Sequence, residues 1–310
     1  MSKKIVFMGT PIFAVPILRS LYESEYTIPV VYTKPAKKSH RGQKIVKSAI
    51  QNFCDSMNIK LRTPQKLKNN KLEYEFLKKI NADLAVVVAY GQIIPKEYLK
   101  LTKKGFLNIH ASILPKWRGA APIQRSIMNL DNETGLSIMK INEILDSGPV
   151  CNVYKMNIDK KINAQELSDK LSLLAAGKIL ENVDEVLAGK SRFIDQDHLK
   201  ATYAKKVEKK ESQIDWSEKA EKIIGKINGL SPFPGAFFVY EGQRYKVHKA
   251  EIGNLSGKFG EVISKKLEIA CGNNQSIKIL EIQKEGKKPQ SINEFILGSK
   301  IEKGSVISYE

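Results

Sequence analysis

A chain of 310 residues is longer than one hydrophobic core usually fills, so two domains are expected. Three cysteines (Cys54, Cys151 and Cys271) without paired or metal-like spacing, and the lack of any run near the roughly 18 apolar residues of a membrane helix, argue against a disulfide framework, a structural zinc site and a membrane-spanning segment. The formal net charge of +18 favours a polyanionic partner over a neutral metabolite alone.

The opening MSKKIVFMGT enters a strand at once, which predicts a cytoplasmic protein made without a targeting segment. KIVFMG reads as a strand, FAVPILRSLYES as a helix, PVVYTK as a strand and VKSAIQNFCDSM as a helix. DLAVVVAY is a continuous apolar run, the pattern of a strand covered by helices on both faces. FLNIH follows as a strand, APIQRSIMN as a helix opened by Pro122, and GLSIMKI with VCNVYKMNI as a strand pair around a turn. AQELSDKLSLLAAGKILENVDEVLAG is a long helix that Gly189 ends. The alternation predicts an α/β domain over 1–189, a Rossmann-like, mostly parallel sheet with helices on both faces. A polar linker, 190–208, precedes a second texture in 209–310: one helix, SEKAEKIIGKINGL, then short strands AFFVY, QRYKVHKAEI, GKFGEVISK, LEIACG and SIKILEIQ, with YEGQR as a hairpin link. This predicts a smaller C-terminal β-barrel of OB-like type, a fold that often binds oligonucleotides.

The first strand-to-helix loop, FMGTPIF, holds one glycine where a dinucleotide fingerprint needs three, and lacks the Gly-Lys-Ser/Thr of a phosphate loop. A tight turn with Thr10 as cap and Pro11 in the first helical turn is expected instead. Charge is uneven: residues 1–50 hold nine Lys/Arg against two Asp/Glu, whereas 208–310 hold seventeen against fourteen. The excess centres on TKPAKKSHRGQKI, whose proline, glycine and polar residues predict a flexible surface loop and whose Lys37, Lys38, Arg41 and Lys44 suit phosphate. Arg41 stands out because a guanidinium binds phosphate in two-pronged fashion.

Asn108 and His110 lie two apart in FLNIH and so share one strand face, while Leu107 and Ile109 pack on the other. They sit at a strand end, where open α/β sheets form a ligand crevice. An amide supplies fixed N–H donors and an imidazole donates or exchanges a proton near neutral pH, so the pair suits an oxygen that gains negative charge, as in acyl transfer. In NEILDSGPV, Asp146 stands at a turn before a strand, placed to orient a histidine or relay a proton.

Together, NIHASILPKWRGAAPIQ and the downstream LDSG resemble the formyltetrahydrofolate-dependent transferase family, whose pattern is Asn-x-His-x-Ser-Leu-Leu-Pro and later Asp-x-Gly. GTPIFAVPIL, VVVAYGQIIP, WRGAAPIQR, TYAKKV, IDWS and SPFPGAF extend the resemblance to about residue 250, toward members that act on methionyl-tRNA. Ala111 stands where glycine is common, Ile113 replaces a leucine, and NEILDSG replaces Gly-Leu-Asp-Thr-Gly. The resemblance implies formyl transfer from 10-formyltetrahydrofolate to methionine on initiator methionyl-tRNA, without metal; a monomer is the default expectation, on which the sequence carries no signal. It assigns catalysis to Asn108, His110 and Asp146, folate contact to Ser112, Ile113, Leu114 and Pro115 with Ile93 and Ile94 walling the pterin, and tRNA contact to the basic loop. Another amine acceptor, such as glycinamide ribonucleotide or an amino sugar nucleotide, and a nonenzymatic RNA-binding role are the alternatives.

Overall fold

The structure, a computed structural model, describes residues 2–39 and 44–309. In chain order the first half contains β1 (Ile5–Gly9), α1 (Val15–Tyr22), β2 (Val31–Tyr32), β3 (Lys37–Ser39), β4 (Lys44–Val46), α2 (Ala49–Ser56), β5 (Leu61–Arg62), α3 (Lys71–Ile80), β6 (Leu84–Val88) and β7 (Phe106–His110). Next come β8 (Arg118–Gly119), α4 (Pro122–Met128), β9 (Glu133–Lys140), β10 (Val150–Asn157), α5 (Ala164–Ala188) and β11 (Tyr203–Ala204). The last third holds α6 (Ala220–Leu230), β12 (Ala236–Tyr240), β13 (Gln243–Gly253), β14 (Glu268–Cys271), β15 (Gln275–Lys284), β16 (Gln290–Ser291) and α7 (Ile292–Phe295).

Seven strands form one sheet in the order β10-β9-β7-β6-β1-β2-β5. The neighbours from β5 to β7 are parallel and β9 runs antiparallel to β7, so the sheet is Rossmann-like and mostly parallel. β1 and β6 are buried along their whole length, as two-sided helix cover requires of apolar strands. α2 starts where Ser48 accepts the Gln51 N–H at 3.0 Å, and α4 opens on Pro122 as expected. The periodicity left α3 unpredicted; its signal was Asn70, whose side chain accepts the Glu73 N–H at 3.2 Å.

Thr10 does not cap a helix. Its hydroxyl donates to the Tyr90 carbonyl at 2.8 Å, tying the end of β1 to the segment after β6, and the chain passes from Pro11 into a single 3-10 turn before α1. The helix starts later than expected, so the hydroxyl serves the strand edge. The basic segment also departs from a plain loop, because β3 and β4 pair antiparallel on either side of 40–43.

Two compact units emerge: residues 1–119, 135–156 and 168–203 form the first, and residues 120–134, 157–167 and 204–310 the second. The second is built on an antiparallel sheet in the order β12-β13-β15-β14, with β16 beside β15. Its hairpin link is as expected: Tyr240 pairs with Gln243 across Glu241 and Gly242, both at positive φ (49° and 70°), as the tightest hairpin turns demand. GKFGEVISK was expected as a strand but contributes only single bridges at Glu261 and Val262; Gly260, at φ 80°, bends the chain there. The core gathers Trp216, Phe238, Tyr245 and Phe295, with the Phe238 and Tyr245 rings stacked at 5.3 Å.

Candidate active site

β7 runs parallel to β6, so both end at the same sheet edge, where open α/β sheets place their ligands. Asn108 pairs in register with Val87 of β6 and Met139 of β9, and His110 with Ser137 of β9. Asn108 is half-buried and its amide makes no hydrogen bond to another described residue, leaving two N–H donors on the face it shares with His110.

His110 is buried, at 6% exposure, and its Nε2 lies 2.9 Å from the Trp117 carbonyl. A carbonyl only accepts, so Nε2 carries the proton in the neutral ring and donates it there. Nδ1 is then the nitrogen that takes up or gives a proton, and it faces Asp146 Oδ2 at 3.8 Å. That separation exceeds a direct hydrogen bond but not an electrostatic pairing. The same Asp146 oxygen accepts the Gly119 N–H at 2.8 Å. The strip Trp117–Gly119 thus contacts both the imidazole and the carboxylate.

Asp146 sits in the left-handed region, at φ 49°. Its turn is closed by Asn142, whose side-chain oxygen accepts from Ile144 N at 3.1 Å and from the Ser147 hydroxyl at 3.0 Å. Asn142 belongs to the segment that departs from the family pattern, and it supplies a local anchor for the turn. Gly148 is dictated by close approach: a Cβ there would come within 1.9 Å of the Lys140 carbonyl oxygen.

The loop after His110 is held by its own hydrogen bonds and by one residue of β9. Ser112 is buried and its hydroxyl donates to the Lys116 carbonyl at 2.6 Å. Ser137, fully buried on β9, donates to the Ser112 carbonyl at 2.7 Å and accepts the Leu114 N–H at 3.0 Å. Leu114 is buried, while Ile113 and Pro115 are half-buried. Of the two isoleucines expected at a ligand wall, Ile93 points outward at 88% exposure and Ile94 packs against a core cluster. Lys37 is exposed on β3, the backbones of Lys38 and Lys44 lie in the β3–β4 ladder, and Arg41 falls outside the described residues. Among the described residues no group of three His, Cys, Asp or Glu could hold a metal, and no helix is long and apolar enough to cross a membrane.

Residues 3–183 match the formyl transferase family and residues 206–300 its C-terminal domain. The chain belongs to the formyl transferase family. Within that family it is 65% identical over 308 residues to the methionyl-tRNA formyltransferase of Pelagibacter ubique (strain HTCC1062), covering 99% of both chains. It is 40% identical to the methionyl-tRNA formyltransferase of Chelativorans sp. (strain BNC1), over 98% of this chain and 99% of that one. The solved sugar 3N-formyl transferase WlaRD, described with dTDP and 5-N-formyl-THF, shares the formyl transferase fold at a TM-score of 0.67 and 19% identity, over 93% of this chain and 99% of that one. An N-formyltransferase from Helicobacter canadensis, solved with folinic acid and dTDP-3-aminofucose, has a TM-score of 0.68 and 16% identity over 92% and 100% of the two chains.

Proposed function

We propose that this chain moves the formyl group of 10-formyltetrahydrofolate onto the α-amino group of methionine carried by initiator tRNA, in the cytoplasm, during translation initiation. The 65% identity to a methionyl-tRNA formyltransferase across 99% of both chains is the observation that carries the substrate assignment. The residues at the sheet edge fit a folate donor: a half-buried amide with unshared donors and a loop at 112–115 held by the buried Ser137.

A bound formyl folate supplies the activated one-carbon group. In this reading the Asn108 amide donates to the formyl oxygen as negative charge develops there, and such donors act mainly in the transition state. His110, with Nε2 committed to the Trp117 carbonyl, acts through Nδ1. Protonated, that nitrogen is a second donor to the same oxygen; neutral, it accepts a proton. Asp146, 3.8 Å away, stabilises the imidazolium and receives the proton that the attacking amine releases. His110 returns a proton to the folate nitrogen as its bond to the formyl carbon breaks, so tetrahydrofolate leaves, and the proton on Asp146 restores the protonated imidazole.

Ser137→Ala should raise the donor KM about tenfold with little change in kcat. It leaves the Leu114 N–H and the Ser112 carbonyl without their partner, a loss worth roughly 1–3 kcal/mol when such groups stay buried. An unchanged donor KM would show that the loop holds its shape without Ser137.

The basic segment is assigned to tRNA. Replacing Lys37 and Lys38 together with alanine should weaken binding to all tRNAs and flatten its salt dependence, by about one logarithmic unit or less for each phosphate no longer neutralised. Arg41→Ala should depress transfer more than binding if Arg41 holds the acceptor end in reach of the donor. Unchanged salt slope and transfer would reduce the segment to a solvated surface. The function itself is tested by offering formyl donor with methionine-charged initiator tRNA, glycinamide ribonucleotide or an amino sugar nucleotide. Formylmethionyl-tRNA as the product is expected. Transfer to either small amine in its place, or to none of the three, overturns the assignment.

A further inference from the structure

Gln196 lies in the polar stretch after α5, where no catalytic signal is readable, yet it is buried at 8% exposure. The stretch is held beside the start of β10 by reciprocal hydrogen bonds, Val150 N to Ile194 O and Ile194 N to Val150 O, each 2.9 Å. From there the Gln196 Nε2 donates to the Asp146 carbonyl at 3.0 Å and to the Gly148 carbonyl at 2.7 Å. Its Oε1 accepts from Arg118 Nε at 3.0 Å and Nη2 at 2.7 Å. Both donors and both lone pairs of the amide are therefore used. This fixes its orientation, because a flipped amide would set NH2 against the guanidinium and oxygen against two carbonyls.

The bonds form a closed circuit. Arg118, buried at 2% exposure, holds Gln196; Gln196 holds the backbone on both sides of the Asp146–Gly148 turn; and the Asp146 carboxylate returns to Gly119 N, the residue after Arg118. A third donor contact runs from Arg118 Nη2 to His198 Nδ1 at 3.1 Å. Asp146 occupies the left-handed region, which aspartate tolerates better than most non-glycine residues, and the clamp fixes the turn in it.

We infer that Gln196 is a positioning residue for Asp146, setting where the carboxylate stands against His110 by clamping the turn that bears it to the buried Arg118. The inference rests on the proposed role of Asp146 in moving the proton. Gln196→Glu isolates the clamp. The carboxylate keeps the size of the side chain and strengthens its contact with Arg118, but turns an acceptor toward two carbonyls, so the turn is released while the buried arginine stays paired.

Three measurements on the full chain decide it. Gln196→Glu should lower kcat for transfer to methionyl-tRNA tenfold to a hundredfold, the order of loss that follows a displacement of about 1 Å, with both KM values nearly unchanged and a Tm lowered by the loss of a donor to two carbonyls. Amide exchange should quicken in the peptides carrying Gly119 and residues 143–149 rather than in remote ones. The Asp146→Asn, Gln196→Glu double variant should be no slower than Asp146→Asn alone, because a residue acting through Asp146 has nothing further to remove. A kcat within twofold of the unaltered enzyme, unchanged exchange at Gly119, or losses that multiply in the double variant would each overturn the inference. If Gln196→Glu fails to fold, Gln196→Met, which lacks donors and charge, is read by the same criteria. Should the unaltered protein transfer nothing to methionyl-tRNA, the proposed function fails by itself, and the exchange pattern still decides whether Gln196 clamps the turn.

Discussion

Asn108→Ala should cut kcat for formyl transfer about 100- to 1,000-fold while leaving the donor KM within a few fold, the loss typical of removing one oxyanion donor. The side chain lies half-buried on β7 with no hydrogen bond to another described residue, so its removal orphans nothing in the resting protein and stability should hardly move. His110→Ala should cost as much turnover but carry a structural signature as well. The Trp117 carbonyl loses its donor, and Asp146 loses the imidazole it faces. Steady-state kinetics on purified, folded variants separate the two residues, and near-normal turnover in both would reject their catalytic assignment.

Gly229→Val should lower the stability of the second unit by about 3 kcal/mol, an overpacking loss at the upper end of the usual range. A Cβ at Gly229 would approach Met128 Cγ to 2.6 Å and the Gln124 carbonyl oxygen to 3.0 Å. One turn away, a Cβ at Gly225 would meet the Leu130 Cδ2 at 2.8 Å and two backbone carbonyls of Ile127 and Met128 at 3.2 and 3.3 Å. The two glycines form a smooth patch on α6 against which the backbone of α4 and the residues just after it lies. Valine adds branched bulk where backbone must retreat, so its better side-chain restriction does not offset the clash. A fall in Tm of about 10 °C is expected for a unit of this size. Gly177→Ala, on α5 with nothing within 4 Å of its added carbon, is the control and should hold or raise Tm, since alanine favours a helix by up to about 1 kcal/mol. Equal melting of Gly229→Val and the unaltered protein would show that α4 and α6 part freely.

The fold was legible where side-chain periodicity reports burial. The unbroken apolar run at Leu84–Val88 marked a covered strand, and the two-residue spacing of Asn108 and His110 marked one face at a strand end. Asp146 was legible because its turn has its own composition. Ser137 was not: it reaches the 112–115 loop only through the antiparallel register that sets it opposite His110, and register between strands 27 residues apart leaves no local pattern. Gln196 was hidden for the same reason, a buried amide inside a stretch whose composition reads as linker. The membership of 120–134 in the second unit was equally unreadable, since it depends on two glycines a hundred residues downstream.

That last feature bears on how the protein is made. Helix α4 ends at Met128 and α6 begins at Ala220, so about ninety residues must be added between them. At the usual pace of about 5–20 residues per second, the surface of α4 that receives Gly225 and Gly229 waits on the order of 5–20 seconds on the ribosome before its partner exists. The second unit therefore closes only near the end of synthesis. A nascent chain stalled before residue 220 presents that uncovered helix to its surroundings, which makes this interval the one in which a chaperone has most to shield.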